Sequence, residues 1–260
     1  MSNTSKIVAN MTKLKILVDT FLKQQTGQAA QLPDSQKKRV TAGSVFEIIA
    51  YTPAEANHFK VTLKDTLNGS NTWYVFQKNG LVLDNGGNMI YPTEVKLPVP
   101  YKSQLDNTEN PYGSCNVTSI SMCLAYFGVQ DNPNEQLEDE MQDWLESQGL
   151  DRHDPGALAT AVEHYGHKDT FKTNASIEEV KEWLVQGNPA VVHGYFTSSG
   201  HVICFTGFND KGFIVNDPYG EWFAEGYDTS RTGEGLTYSY SMIQETCLSD
   251  GQFWVHFVSR

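Results

Sequence analysis

The chain has 260 residues and a formal net charge of −12, and hydrophobic residues make up 39% of it. This length and composition are typical of a globular protein with one large domain or two modest ones. The acidic balance disfavours nucleic acid or an anionic membrane as the main partner, because both attract basic surfaces. We therefore expect no nucleic-acid partner and no membrane partner.

No segment of the sequence is predicted to target or cross a membrane. The longest apolar runs are far shorter than a membrane-spanning helix needs. The first ten residues lack the apolar core of a secretory signal. We therefore expect the protein to be cytoplasmic as synthesised and, if it acts outside a cell, to be released there by another route.

Residues 1–88 are predicted to form a small all-β domain. Apolar residues alternate with polar ones or cluster in β-rich runs at 44–50, 58–64 and 72–76, as they do in half-buried strands. Asn68-Gly69 and Asn79-Gly80 are turn signals between these strands. Short strands at this spacing suggest a small barrel, and the Gly- and Asn-rich run 84–88 is predicted to be a linker.

From about residue 91 the pattern changes, and residues 91–260 are predicted to form an α+β domain. The segment 97–104 is expected to be extended, because each of its prolines holds the preceding residue out of the α region. Helices are predicted from Cys115 to Gly128, over 135–146 and 155–165, and from a capping box at Ser176 to Gly187. Strands are expected over 189–195, 201–208, 213–217 and 253–257.

The cysteines are predicted to be free thiols, as in proteins of a reducing compartment. They form no CxxC pair and no dense framework, and they are Cys115, Cys123, Cys204 and Cys247. His153, His164 and His167 are clustered in sequence, but no cysteine or carboxylate lies near them at a zinc-site spacing. We therefore expect no metal ion and no organic cofactor.

Cys115 is the candidate nucleophile. It lies between Ser114 and Asn116 at the predicted start of a helix, where backbone N–H groups and the helix dipole favour an anion and lower the pKa of a thiol. Because a free thiol with a pKa of about 8.5 is mostly protonated at neutral pH, the nucleophile also needs a base and a group that orients that base. The other cysteines lie in apolar or helical contexts typical of buried structural thiols.

A cysteine that heads a helix, with strands later in the chain, resembles the layout of papain-like cysteine peptidases. Residues 95–258 resemble more specifically the bacterial papain-like peptidases related to the double-glycine bacteriocin-processing enzymes. Four stretches carry this resemblance in the family's order, namely VPYKSQ at 99–104, SCNVTS at 114–119, GHVI at 200–203 and GFIVNDPYG at 212–220. The resemblance implies a papain-like fold and hydrolysis of peptide or amide bonds through an acyl-enzyme.

The same resemblance implies the roles of individual residues. His201 would be the base for Cys115, Asp217 would orient it, and Gln104 would donate a side-chain N–H to the developing oxyanion together with the backbone N–H of Cys115. His193 is an alternative, as a core residue, as a residue of the substrate pocket or even as the base. The glycine before His201 and the hairpin after it favour His201 as the base.

Strand geometry gives a second argument about the group that orients His201. If the hairpin that follows His201 has a three-residue loop with Gly212 in the left-handed conformation, facing residues have numbers of equal parity. His201 and Asp217 would then share one face, and Asn216 would point away. A two-residue loop would reverse this and favour Asn216 as a neutral orienter, so we prefer Asp217 and keep Asn216 as the alternative.

Residues 1–88 also resemble the SH3-like barrels that accompany bacterial wall hydrolases, through Ala42-Gly43 before a strand and NTWYV at 71–75. This resemblance implies a wall- or substrate-binding domain and, with the Cys115 domain, an endolysin-like hydrolase of bacterial or phage origin that acts on peptidoglycan. The alternatives are a peptidase for protein or leader-peptide substrates, a transglutaminase-type acyltransferase, and a binding module with a dead site. The oligomeric state is not predicted.

Overall fold

The computed structural model describes the backbone of residues 6–260 and the side chains from residue 12 onward. The chain divides into two compact units, one up to Thr93 and one from Glu94, whereas the sequence places the boundary between residues 88 and 91. The run 84–88, interpreted above as a linker, forms a tight turn in which the Asp84 N–H donates to the Asn88 carbonyl over 2.9 Å. In the described part of the chain, no helix is both long and apolar enough to cross a membrane.

The first unit is an antiparallel sheet of eight strands in the order β3-β2-β6-β5-β4-β1-β7-β8. The strands are β1 (Lys6–Ile16), β2 (Thr20–Lys23), β3 (Lys37–Val40), β4 (Val45–Ala54), β5 (His58–Leu67), β6 (Ser70–Phe76), β7 (Gly80–Leu83) and β8 (Met89–Tyr91). No pairing joins the outer strands β3 and β8 among the described residues, so the predicted SH3-like barrel is not confirmed. Strand β3 is short and carries Lys37, Lys38 and Arg39, and charged edge strands of this kind oppose further pairing.

The core of the first unit follows the alternation that the sequence shows. Phe59 and Val61 of β5 are fully buried with Trp73 and Val75 of β6, and Val61 faces Trp73 across the two strands. Asn68-Gly69 joins these strands in a tight turn with φ of 53° and 79°, which is the left-handed geometry that two-residue hairpin loops require. The predicted turn and the predicted strands are therefore confirmed here.

The second unit is a mixed α+β structure, as predicted. Its strands are β9 (Val95–Lys96), β10 (Lys168–Lys172), β11 (Ala190–Gly194), β12 (His201–Phe208), β13 (Gly212–Asn216), β14 (Glu221–Phe223), β15 (Gly226–Asp228), β16 (Leu236–Ser239) and β17 (Val255–Ser259). Its helices are α1 (Cys115–Phe127), α2 (Leu137–Ser147), α3 (Pro155–His164), α4 (Ile177–Val185) and α5 (Tyr240–Cys247). The main sheet has the order β10-β17-β11-β12-β13-β16, and β9 pairs with β12.

Helix α1 fixes the position of Cys115. The helix ends where Gly128 adopts a left-handed conformation with φ of 106°, which is the predicted C-cap. The Ser119 hydroxyl donates to the Val202 carbonyl over 3.0 Å, and the buried thiols of Cys123 and Cys204 lie 3.7 Å apart. Both contacts attach the helix to β12, the strand that begins with His201.

The loop between β12 and β13 differs from the predicted one. The Asn209 N–H donates to the Gly212 carbonyl over 2.9 Å, so the loop contains only Asp210 and Lys211. Gly212 is not in the left-handed region. The glycine is needed for another reason, because a Cβ at this position would lie 2.0 Å from the Tyr238 carbonyl oxygen of β16.

A β-bulge reverses the consequence of this shorter loop. The register of the hairpin shifts at Thr206. Near the loop, an even-numbered residue faces an odd-numbered one, as Phe208 faces Phe213. Beyond the bulge, even faces even and odd faces odd, as Cys204 faces Asn216. The extra residue therefore cancels the missing loop residue. His201 and Asp217 share one face of the hairpin, although the loop that led us to expect this was wrong.

We expect Gly212→Ala to destabilise the second unit by about 1–3 kcal/mol, the usual cost of forcing an extra methyl group into a packed site. The clash is with a backbone carbonyl, which cannot yield without moving β16 away from β13. Thermal unfolding of the variant measures this effect. Gly156→Ala is the matched control, because its Cβ would meet only the Asp154 carboxylate at 3.3 Å. Equal melting temperatures for the two variants would contradict the close approach.

Candidate active site

A cavity of about 540 Å³ lies at the N-terminal end of α1. The predicted site residues Gln104, Cys115 and His201 all line it. Asp217 lies behind His201 and has no exposed surface. The fold thus gathers four residues from distant parts of the second unit at one place.

The Cys115 thiol lies at the first residue of α1, beside His201. The Ser114 side chain does not cap the helix and instead accepts a hydrogen bond from the Asn107 amide over 2.8 Å. Burial by itself would raise the pKa of the Cys115 thiol, but the charge and hydrogen bond of His201 lower it below its usual value. This pKa direction favours a thiolate paired with an imidazolium.

The imidazole of His201 bridges the thiol and a carboxylate. Its Nε2 lies 2.8 Å from Oδ1 of Asp217, so Nδ1 is the ring nitrogen left for Cys115. Burial by itself would lower the pKa of His201, but Asp217 and Cys115 raise it to about 10. A histidine held in this state carries a positive charge beside the sulfur at neutral pH, and its ring orientation is fixed by the carboxylate.

Asp217 receives hydrogen bonds on both carboxylate oxygens. Oδ1 accepts from His201 and from the Tyr219 backbone N–H over 3.1 Å. Oδ2 accepts from the hydroxyls of Tyr227 and Tyr238 over 3.0 and 2.9 Å. Burial first, and the charge of Asp217 second, raise the pKa values of both tyrosines. The two phenols therefore stay protonated and hold the carboxylate in one orientation.

Asn216, the alternative orienter, is used elsewhere. Its side-chain amide donates to the Val99 carbonyl over 3.2 Å and accepts from the Gly235 backbone N–H over 3.0 Å. The first contact attaches the segment 97–104 to β13, and the second attaches the residue just before β16. The geometry therefore favours Asp217 as the neighbour of the imidazole.

Gln104 begins a short 3₁₀-helix, Gln104–Asp106, and is 1% exposed. Its backbone N–H donates to the Pro218 carbonyl over 2.9 Å, which ties the residue to the chain just after Asp217. Its side-chain Nε2 donates to the Pro111 carbonyl over 2.9 Å, and that group has a second N–H. The loop 105–113, which follows Gln104, also lines the cavity through Tyr112 and Gly113.

His193, the alternative base, lines the same cavity but is hydrogen-bonded to a different residue. Its Nε2 lies 3.0 Å from Nε2 of His256. Burial, followed by the charge of His256, lowers the pKa of His193 to about 3. His193 and His201 therefore differ, since His201 is poised to carry a charge at neutral pH and His193 is not.

The aromatic residues that follow Asp217 have different surroundings. Tyr219 lines the cavity, and Tyr227 contacts Asp217 as described above. Trp222 is half-buried, and its indole N–H donates to the Phe196 carbonyl over 2.7 Å. Of these three residues, Tyr219 is the one that lines the cavity.

Three residues that support the site carried no recognisable sequence signal. Tyr238 reaches Asp217 from β16. The Asn107 amide donates to Ser114 and, over 3.1 Å, to the Thr118 hydroxyl. The Arg152 guanidinium donates to the Asn116 side-chain oxygen over 3.1 Å and to the Gly113 carbonyl, and so fixes the turn before Cys115. They act through contacts between distant segments, which no local motif records.

Among the described residues, one group of carboxylates has ligand atoms close enough to hold a metal ion. Glu109, Asp143 and Glu146 bring these atoms within 4.8 Å of one another, and all three residues are exposed. None of them lines the cavity.

A model of the Peptidase C39-like family matches residues 96–247. The chain belongs to the Peptidase C39-like family. The resemblance inferred from the sequence is thereby confirmed, and the protein is a cysteine peptidase, a hydrolase. No curated protein gives a significant match.

Two solved structures are similar to this C39-like chain. One is described as a C39-like peptidase from Bacillus anthracis, with 16% identity and a TM-score of 0.43 over 63% of this chain and 96% of that one. The other is a double-glycine motif protease from the AMS/PCAT transporter in complex with the leader peptide, with 19% identity and a TM-score of 0.42 over 64% of this chain and 95% of that one.

We expect iodoacetamide to alkylate Cys115 much faster than the other three cysteines at neutral pH. A thiol with a lowered pKa is deprotonated at a lower pH, so the labelling rate of Cys115 should rise with a midpoint below that of free cysteine. Cys247 is the matched control, because it lines the same cavity and burial raises its pKa to about 12. Peptide mapping after timed labelling measures both rates, and equal rates would contradict the lowered pKa.

Proposed function

We propose that the protein hydrolyses peptide bonds through an acyl-enzyme formed on Cys115. The observation that supports this most is the buried imidazole of His201 beside the thiol, with its Nε2 2.8 Å from Asp217. A nucleophile, a base and a group that orients the base are the three parts that acyl transfer by a thiol requires. Cys115 and His201 line a cavity of about 540 Å³, which is large enough to hold a short segment of peptide.

In the proposed reaction, His201 takes the thiol proton and the Cys115 thiolate attacks the carbonyl carbon of the scissile bond. The carbonyl oxygen becomes an oxyanion, and the proposed donors that stabilise it are the backbone N–H of Cys115 and the second side-chain N–H of Gln104. Removing one donor of this kind typically costs about 2.7–4 kcal/mol of transition-state stabilisation. The first side-chain N–H of Gln104 donates to the Pro111 carbonyl over 2.9 Å, which restrains the amide.

Collapse of this intermediate breaks the C–N bond, and His201 donates its proton to the departing amine. The acyl group remains as a thioester on Cys115. His201 then takes a proton from water, whose oxygen attacks the thioester, and the product carboxylate leaves as the thiol is regenerated. Asp217 would keep one tautomer of His201 in place through both halves of the reaction and stabilise the imidazolium.

For the substrate, we propose peptides. Bacterial wall peptides were the first choice from the sequence, because an SH3-like barrel commonly accompanies wall hydrolases. The open sheet of the first unit withdraws that support, and the net charge of −12 opposes approach to anionic walls. Peptides of unfolded proteins and leader peptides therefore stand beside wall peptides as sources of the scissile bond.

The test incubates the purified protein with bacterial wall fragments and, separately, with a digest of unfolded protein, in water enriched in ¹⁸O. We expect mass spectrometry to show new carboxyl ends that carry the label in at least one of the two samples, and none with Cys115→Ala. An added primary amine separates hydrolysis from acyl transfer, because a transferase would attach the amine in place of the labelled oxygen. If neither sample contains new carboxyl ends that carry the label, the proposal is contradicted.

We expect Asp217→Ala to lower kcat/KM by a factor on the order of 10²–10⁴, as removal of the orienting acid does in comparable sites. Without the carboxylate, the pKa of His201 falls and its ring is no longer held toward the thiol. Asn216→Ala is the neighbouring control. It removes the contacts with Val99 and Gly235, so we expect a lower melting temperature with kcat reduced only a few-fold. A larger kcat loss in Asn216→Ala than in Asp217→Ala would refute the assignment.

A further inference from the structure

A second series of titratable side chains crosses the main sheet of this unit and ends in the same cavity. Asp169 lies on β10, His256 on β17 and His193 on β11. His256 faces Phe171 on one side and Val191 on the other. Because side chains alternate along a strand, Asp169 and His193, each two residues from those partners, lie on the same face as His256.

These three side chains are joined by two short contacts. Nδ1 of His256 lies 2.5 Å from Oδ2 of Asp169, and neither side chain has any exposed surface. Nε2 of His256 lies 3.0 Å from Nε2 of His193. The other oxygen of Asp169 is sealed from solvent and has no hydrogen-bond partner among the described residues.

The contacts limit where the protons can lie, because one of the two facing Nε2 atoms must donate to the other. A carboxylate buried without a compensating charge is very costly, and His256 is the group in contact with Asp169, so we infer that the His256 ring donates through both of its nitrogens. Such an imidazolium donates one N–H to Asp169 and the other to Nε2 of His193. His193 is then neutral, in agreement with its lowered pKa, and its own proton lies on Nδ1.

The Nδ1 atom of His193 is the free end of this series. It makes no hydrogen bond with any residue in the described part of the chain, and it is not among the sealed polar atoms that lack a partner. His193 lines the cavity together with Cys115 and Trp254. The His193 ring packs against the rings of Phe171 and Trp254, with centroid distances of 5.9 and 6.0 Å, and its Nε2 is held by His256, so these contacts fix its orientation.

We propose that Asp169, His256 and His193 build a substrate subsite in which the His193 Nδ1–H donates to an oxygen acceptor of the bound peptide. The acceptor is a main-chain carbonyl or a terminal carboxylate. His193 would touch the substrate, whereas His256 and Asp169 would act through it as positioning residues. If Asp169 and His256 only stabilised the sheet, their contact with each other would be sufficient. The further contact of His256 with His193 extends the series to the cavity. This inference rests on the proposed peptidase function.

The test uses the peptide that the wild-type protein cleaves fastest in the digest described above. We expect His193→Phe, which keeps an aromatic ring but has no donor, to raise KM about three- to tenfold with little change in kcat, as loss of one binding hydrogen bond does. His193→Asn carries an N–H close to the position of Nδ1 and should recover most of the KM loss. His164→Phe is the control, because His164 is an exposed histidine outside the cavity.

A second variant tests the direction of the protons. In Asp169→Asn the carboxylate charge is gone, so His256 becomes neutral and accepts from His193, which then turns a bare nitrogen toward the cavity. We expect a KM increase similar to that of His193→Phe, although residue 169 does not reach the cavity. Peptides with free and amidated C-termini distinguish the two acceptors, since the effect disappears in the amidated peptide only if the acceptor is the terminal carboxylate.

The proposal is overturned if His193→Phe leaves KM unchanged, or if His193→Asn is no better than His193→Phe. Should Asp169→Asn not fold, the two His193 variants still decide the matter. The iodoacetamide rate of Cys115 is measured in every variant and reports the Cys115–His201 pair independently of the subsite. Failure of the wild-type protein to cleave any peptide would refute the peptidase function instead, and is distinguishable because no KM is then measured.

Discussion

The hydrogen bond between His201 and the buried carboxylate of Asp217 is the interaction on which the rest of the site depends. A carboxylate with no exposed surface is tolerable only where donors and a cation surround it. Two phenols and a backbone N–H supply the donors, and the imidazolium supplies the charge. The charge of the His201 ring compensates Asp217 on one side and lowers the pKa of the Cys115 thiol on the other. The same imidazolium therefore stabilises the folded protein and activates the nucleophile.

The bulge at Thr206 connects this arrangement with the segment 97–104. The carbonyl of the bulged residue accepts from the Leu97 N–H over 2.8 Å, and β9 runs so close beside the next residue that a Cβ on Gly207 would lie 2.0 Å from the Val95 carbonyl oxygen. One inserted residue thus turns Asp217 toward His201 and also receives the strand that leads to Gln104. The base, its orienter and the proposed oxyanion donor are positioned by a single irregularity of the sheet.

His193 and His201, which both line the cavity, show how surroundings decide what one residue type can do. Both are largely buried, and burial lowers the pKa of each. Beside His201, the charge of Asp217 outweighs burial and raises the pKa to about 10. Beside His193, the neighbouring charge is positive and adds to the effect of burial, so the pKa falls to about 3. One ring is suited to carry a proton in the reaction, and the other to remain a neutral hydrogen-bonding group.

The sequence by itself determined helices α1 to α4, strands β11, β12, β13 and β17 and the four candidate residues of the second unit, because helix caps, strand periodicity and short motifs are local. It also gave the cysteine peptidase class through those motifs. Only the tertiary structure decided the loop length and the bulge of the β12–β13 hairpin, since a register depends on how β9 and β16 pack beside it. The partners of Asp217, the open sheet of the first unit and the connection from Asp169 to His193 were likewise undetermined by sequence. Each depends on contacts between segments far apart in the chain, for which no single segment carries a signal.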